Sequence, residues 1–511
     1  MNTFVENLPQ LETSLAPLNR EAMQTLLLDL ARRRPELAAE IALEAIKLQT
    51  LSAFQAIPAA GTPSQAPLRV AVDPSVIRRQ VRTVMKSIIS GNDDDYWDDD
   101  DSDRVMELEN GIAPLMEVAD AFTEVGDGHG ALPILEAITA ELVDEWDLVE
   151  DVISDAGELF SDLGRAWAEA LLTAELNPEE REIWTDRLET WRDAGQSIGA
   201  GSGLETAVEA VRLGWDYPPL VRVLEGEITA QGAWEDDDIP DCADALATAR
   251  LNVLERQGRW QEAAYLAEAE GQSERHLTLL VRLGRAQEAV DLGREILTTA
   301  AGAFTLAKAL HEHGEIDPAF RMAEHGLNLP GLHYSLAIWL RDAALTAGET
   351  ERAIRSAKLA LQESPQLQDY THLEQFAGEL WSPLKAEILD SLRALRHFDI
   401  AGKVDIFLYE GLMEEALHAV HGSWNYDLVA RVVEAATPTH PLQVLPVCKA
   451  QAATIMDAGK ADRYHHAAKW VERARNAYRV ADQESEWQAY KAELLATHRR
   501  KYKLIPMLRG L

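Results

Sequence analysis

The chain is nearly devoid of cysteine. Cys242 and Cys448 are its only two in 511 residues, and neither has a CxxC or CxC companion. No disulfide framework or cysteine-rich zinc site can be assembled from them, so they read as buried free thiols. The sequence also lacks any run of about 18 uncharged apolar residues. Its opening, MNTFVENLPQLETSL, has neither the basic nor the apolar segment of a secretion signal. Both absences predict a cytoplasmic protein that does not enter the membrane. Aromatics are scarce at 6%, and strand-like alternation of useful length is missing. Leu, Ala and Glu abound, a combination that favours helix. HExxH, GxSxG and the GK[ST] of a phosphate-binding loop are absent as well. The residues therefore predict no cofactor, no metal and no catalytic group, and a protein that is not an enzyme. An active site hidden in an inter-helix cleft stays as a second alternative.

Positive charge is short in one half only. The formal charge is −38, and residues 1–250 hold 51 acidic against 18 basic side chains, whereas residues 251–511 hold 35 against 30. Such a field repels nucleic-acid phosphates and anionic membrane surfaces and draws in basic protein surfaces. The excess is densest in NDDDYWDDDDSD at 92–103, with eight aspartates around Tyr96 and Trp97. Asp98, Asp100, Ser102 and Glu109 match positions 1, 3, 5 and 12 of a calcium loop, but Asp103 stands sixth, where the tight turn requires glycine. Clustered like charges favour a solvated insert. A spacer has no use for two large aromatics, however, so Asp93, Asp94, Asp95, Tyr96, Trp97, Asp98, Asp99, Asp100 and Asp101 are the candidate partner-binding residues. WEDDDIPDCAD at 234–244 repeats the theme.

Other features read as structural. Histidines are scattered: His311 and His313, His418 and His421, His465 and His466, and His498. None has an acidic ligand set at metal-site spacing. GSGLETA at 201–207 is a lone glycine-rich turn with no strand before it, and Ser202 reads as a helix N-cap. Most of the thirteen tryptophans read as inter-helix core whose indole N–H reaches a polar group. Arg499, Arg500, Lys501, Lys503 and Arg509 form the one dense basic run, suited to complementing a helix dipole.

Helical periodicity organises the chain. Residues 1–50 contain a helical hairpin, with Asn19 as N-cap and Pro35 opening its second helix. Prolines and lost periodicity make 51–75 a linker. Residues 76–250 are an acidic helical-repeat region carrying the insert 92–103, and 251–511 a helical-repeat array with C-terminal helices. In that array a turn recurs in which glycine is followed five residues later by alanine: Gly258 and Ala263, Gly284 and Ala289, Gly314 and Ala319, Gly348 and Ala353, Gly411 and Ala416. Glycine can adopt the left-handed conformation past a helix end, and alanine lets the next helix approach closely. A single hairpin cannot bury its apolar face alone, so hairpins stack. These turns resemble the tetratricopeptide repeat, with Trp260 between glycine and alanine and Pro365 closing a second helix. Their spacings, 26, 30, 34 and 63 residues, mark a degenerate array. The expected fold is an all-α, elongated α-solenoid of hairpins without significant β-sheet.

Three stretches together resemble the helical region that follows the zinc finger in bacterial SWIM zinc-finger proteins: LNREAMQTLLLDLARRRPELAAEI, ALPILEAITAELVDEW, and YHHAAKWVERARNAYRVADQESEWQAYKAELLATHRRKYKLIPMLRGL. The most distinctive features are Trp470 with Ala474, then Lys501 with Leu504. The family's CxC and CxH ligands are missing here, so the resemblance implies a helical body without its finger. It also implies MoxR-type ATPases and von Willebrand A domain proteins as partners. The function expected is a scaffold or adaptor that binds proteins through a helical-repeat surface. The alternative is a nucleic-acid-associated factor working with a separate SWIM zinc-finger chain.

Overall fold

A computed structural model describes residues 19–33, 41, 44–45, 47–48, 72–90 and 101–511 apart from 151, 154–155, 199, 230, 236–238 and 396–399. All regular structure among the described residues is helical. The chain divides into two compact units, Met1–Ala289 and Val290–Leu511.

The first unit contains α1 (Arg20–Arg33), α2 (Pro74–Ser90), α3 (Asp101–Glu124), α4 (Gly128–Asp144), α5 (Gly157–Ala174), α6 (Pro178–Ala194), α7 (Ala200–Gly203), α8 (Glu205–Leu213), α9 (Pro218–Leu224), α10 (Ala243–Arg256), α11 (Trp260–Ala269) and α12 (Ser273–Arg282). Asn19 caps α1 by accepting a hydrogen bond from the Ala22 amide at 2.9 Å. The organising element is α5, which packs on α3, α4, α7, α8 and α10. Its sequence explains this placement, because Leu159, Phe160, Leu163, Ala166, Trp167, Ala170 and Leu171 make one broad apolar face, and small residues beside it, Gly164, Ala168 and Ala174, are buried as well. The Trp167 indole donates to Thr139 Oγ1 at 2.8 Å, and Trp215 donates to the Leu172 carbonyl at 2.9 Å. Gly164 and Gly203 let two backbones touch: a Cβ on Gly164 would stand 2.0 Å from the Gly203 carbonyl oxygen. This crossing accounts for the glycine-rich 201–207. Ser202 is not an N-cap but sits inside α7, and α8 begins after Leu204 without a side-chain cap.

The helix α13 (Ala286–Ile296) spans the division. The second unit continues with α14 (Ala300–Glu312), α15 (Ile316–Gly326), α16 (Tyr334–Thr346), α17 (Thr350–Glu363), α18 (Leu367–Ala377), α19 (Trp381–Ala394), α20 (Ala401–Tyr409), α21 (Met413–Ala419), α22 (Tyr426–Ala436), α23 (Pro441–Asp457), α24 (Tyr464–Val480), α25 (Glu484–Thr497) and α26 (Leu504–Gly510). Neighbours in sequence are neighbours in space: α16 packs on α14 and α17, α22 on α20 and α23, α23 on α21 and α24. This is the contact order of stacked hairpins in an α-solenoid.

The five turns share one geometry. Gly258, Gly284, Gly314, Gly348 and Gly411 have φ between +70° and +82°. The following amide donates to the carbonyl five residues back in each, as in Arg259 to Leu254 at 2.9 Å and Leu412 to Phe407 at 2.8 Å. Ala263, Ala289, Ala319, Ala353 and Ala416 are fully buried. The same bond closes turns at Gly126, Gly226, Gly271 and Asp482. The 63-residue spacing also holds two further helices, α18 and α19, which are joined at Gly378, where φ is +54°, through a short 3-10 turn, Gly378–Leu380.

Candidate protein-interaction surface

Of the acidic candidates, Asp93, Asp94, Asp95, Tyr96, Trp97, Asp98, Asp99 and Asp100 lie outside the described residues. Helix α3 opens at Asp101, and Asp103, exposed in its first turn, places negative charge where it complements the helix dipole. In the second acidic cluster, Trp234 is buried and its indole donates to Glu270 Oε2 at 3.3 Å.

Charged groups inside the first unit serve packing. Glu169, 2% exposed, pairs with Arg256 and accepts from Asn252 Nδ2 at 2.7 Å. Asp120 lies in the same field, and burial foremost pushes it up to about 6, with Arg165 opposing and Glu169 adding to the rise. Arg250 is 1% exposed, and its Nε and Nη2 find no hydrogen-bond partner. The Trp234 ring lies 6.0 Å from its guanidinium. Burial pushes Cys242 up to about 11 and Cys448 up to about 12, leaving both thiols protonated at neutral pH. Among the described residues no group of three or more His, Cys, Asp or Glu side chains is placed to hold a metal ion. No described helix is long and apolar enough to cross a membrane.

The second unit presents two recesses. The smaller, about 110 Å³, is lined by Trp424, Tyr426, His421, Val447, Ala450 and Gln451 among others. Its rim is held firmly: Gln451 donates to the Ser423 carbonyl at 3.1 Å, and Asn425 Oδ1 accepts from the Leu428 amide at 3.1 Å to cap α22. On this fixed turn Trp424 is 78% exposed. The larger recess, about 510 Å³, lies between α22 and α24 and is lined by Glu434, Lys469, Glu472, Arg473, Arg475, Asn476 and Arg479. Arg473 is anchored, since its Nη2 donates to Glu434 Oε1 at 2.8 Å and its guanidinium lies 4.8 Å from the Trp470 ring.

Sequence reasoning passed over both recesses. Trp424 had a signal, because it stands in HGSWNYD, a turn where no helical face can bury it. The cations of α24 also had one, as Lys469 with Arg473 and Arg475 with Arg479 are like charges at i, i+4. The residues that carried the SWIM resemblance are packing residues: Trp470, Ala474 and Leu504 are buried, and Lys501 Nζ donates to the Met456 carbonyl at 2.5 Å, at the C-terminal end of α23.

No protein-family model and no curated protein matches the chain. Two solved structures are similar over most of its length. A circular tandem repeat protein with novel repeat topology is 15% identical, covering 93% of this chain and 97% of its own, at a TM-score of 0.20. The APC/C hetero-tetramer Cut9-Hcn1 is 13% identical, covering 98% and 97%, at a TM-score of 0.18.

Proposed function

We propose that this chain is a non-enzymatic scaffold or adaptor, located in the cytoplasm, that binds other proteins through the surface of its helical hairpins. The observation that carries the reading is Trp424, a large aromatic held in water on a capped turn beside a recess that suits one aliphatic side chain. Leaving an indole exposed forgoes the stabilisation of burying it, and rigid aromatic anchors beside pockets dominate binding energy at protein interfaces. The acidic excess of residues 1–250 steers basic surfaces toward the chain without adding much affinity. The SWIM resemblance supports MoxR-type ATPases and von Willebrand A domain proteins as partners, on its motifs alone.

Quantitative capture of partners from native extract tests the reading with three chains: intact, lacking 92–103, and Trp424→Ala. Trp424→Ala is expected to lose about 2 kcal/mol of binding, roughly thirtyfold, with no change in thermal midpoint. Deleting 92–103 is expected to slow association. Undiminished capture by Trp424→Ala would remove the assignment.

A further inference from the structure

We propose that the groove between α22 and α24 receives an extended acidic segment of a partner protein. This rests on the scaffold reading and supplies the chemistry of one partner. Cations are rare in this chain, at 48 against 86 acids, yet four of them line one recess: Lys469, Arg473, Arg475 and Arg479. Only Arg473 has an ion-pair partner among the described residues, Glu434; Lys469, Arg475 and Arg479 have none. Lys469 with Arg473, and Arg475 with Arg479, are like charges one helical turn apart, and Glu472 is the one acid of the helix among them in the lining. The positive field also reaches His466 at the start of the helix. Burial, then His465, Lys469 and Arg463, lower its pKa, and Asp427 alone opposes them.

The dimensions point to a peptide. From residue 469 to residue 479 the helix rises about 15 Å, and its i, i+4 cations are about 6 Å apart along the axis. In an extended chain, alternate side chains on one face are spaced about 6.6 Å apart. Two carboxylates at alternate residues of an extended segment therefore match the spacing within one cation pair, Lys469 with Arg473 or Arg475 with Arg479, and about five to six extended residues span the length of both pairs. Asn476, which both donates and accepts, can pair with the peptide backbone running between them. Glu434 and Glu472 in the same lining oppose a continuous row of phosphates, and this favours a protein segment over a nucleic acid or a lipid surface.

The test uses the full chain and fluorescence anisotropy. The probe is a labelled peptide in which aspartate alternates with serine, with a control in which asparagine replaces every aspartate. The groove variant is Lys469→Glu, Arg475→Glu, Arg479→Glu. The control variant reverses three exposed cations elsewhere, Arg222→Glu, Arg294→Glu, Arg321→Glu. Far-ultraviolet circular dichroism and thermal midpoints check that both remain folded. The expected result is saturable, salt-sensitive binding of the acidic peptide, at least tenfold weaker in the groove variant and nearly unchanged in the control variant. Equal loss in both variants, or none in the groove variant, would overturn the assignment. So would tighter binding of a 12-base-pair DNA duplex, or of phosphatidylserine vesicles, through the same three cations. If the groove variant fails with the peptide yet captures the same partners through Trp424, the scaffold reading stands and the groove is a second contact. If Trp424→Ala leaves capture intact while peptide binding depends on the groove, the Trp424 assignment fails alone.

Discussion

In Met1–Ala289 a single helix, α5, is buried on nearly all sides and touched by five others, whereas Val290–Leu511 repeats one hairpin whose helices touch mainly their neighbours in sequence. Charge follows the same division. The first unit buries Arg250 with donors unpaired and holds Asp120 against Glu169. In the second, the buried Asp369 accepts from Arg341 Nη1 at 2.6 Å and from the Tyr334 hydroxyl at 2.7 Å. A core gathered around one helix concentrates its vulnerability there. An array of hairpins spreads stability over local interfaces, which leaves exposed surface such as the Trp424 turn and the α24 face free to bind.

Substitutions that act in one unit only are the way to break this comparison. The largest effect is expected at the backbone crossing. Gly164→Val places carbon atoms against the Gly203 carbonyl, and the overpacking should cost about 3 kcal/mol or more. Urea unfolding followed by circular dichroism should show an early transition for the first unit while the second melts normally. A single unshifted transition would show that α5 is not the organiser.

Next comes Asp120. Its folded pKa of about 6 stands above the ordinary 3.8, so between those values the folded state binds more protons than the unfolded chain. Stability therefore falls as pH rises from about 4 to about 6. Asp120→Asn should stabilise the protein at pH 7 by on the order of 2 kcal/mol, with the gain vanishing near pH 4. A gain that persists at pH 4 would assign it to something other than ionisation.

The smallest effect belongs to a repeat turn. At Gly348, φ is +79° and an added Cβ would meet nothing within 4 Å, so Gly348→Ala costs only the left-handed strain, about 1 kcal/mol. Thermal denaturation should show a small shift with an unchanged slope. A loss as large as that of Gly164→Val would mean that the second unit does not distribute its stability.

The turns show how far the residues could be read. Glycine followed by alanine marks five of them because both residues answer steric demands: one for φ, one for close approach. Asp482 closes the same turn at φ +59° with Trp487 five residues on, and Gly271 does so with His276. In those turns the backbone geometry persists while the alanine, and at Asp482 the glycine as well, is gone. Gly126 and Ala131 do fit the pattern, but GDGHG around them blurs the helix boundary. The central role of α5 was not legible, because its partners come from helices up to about 90 residues away and local periodicity cannot say which apolar faces meet. The surface sites escaped for a different reason: the acidic run draws attention by composition, while the weaker signals of Trp424 in its turn and of the like-charged pairs of α24 gain weight only once burial and spacing in three dimensions are known.

The most direct test of the account is amide hydrogen exchange on the intact chain, alone and bound to the proteins it captures. Slowed exchange at 421–426 and 447–454, with the first unit's core around α5 unaltered, is the predicted result. Protection confined to the first unit, with the Trp424 turn exchanging as fast as in the free chain, would contradict it.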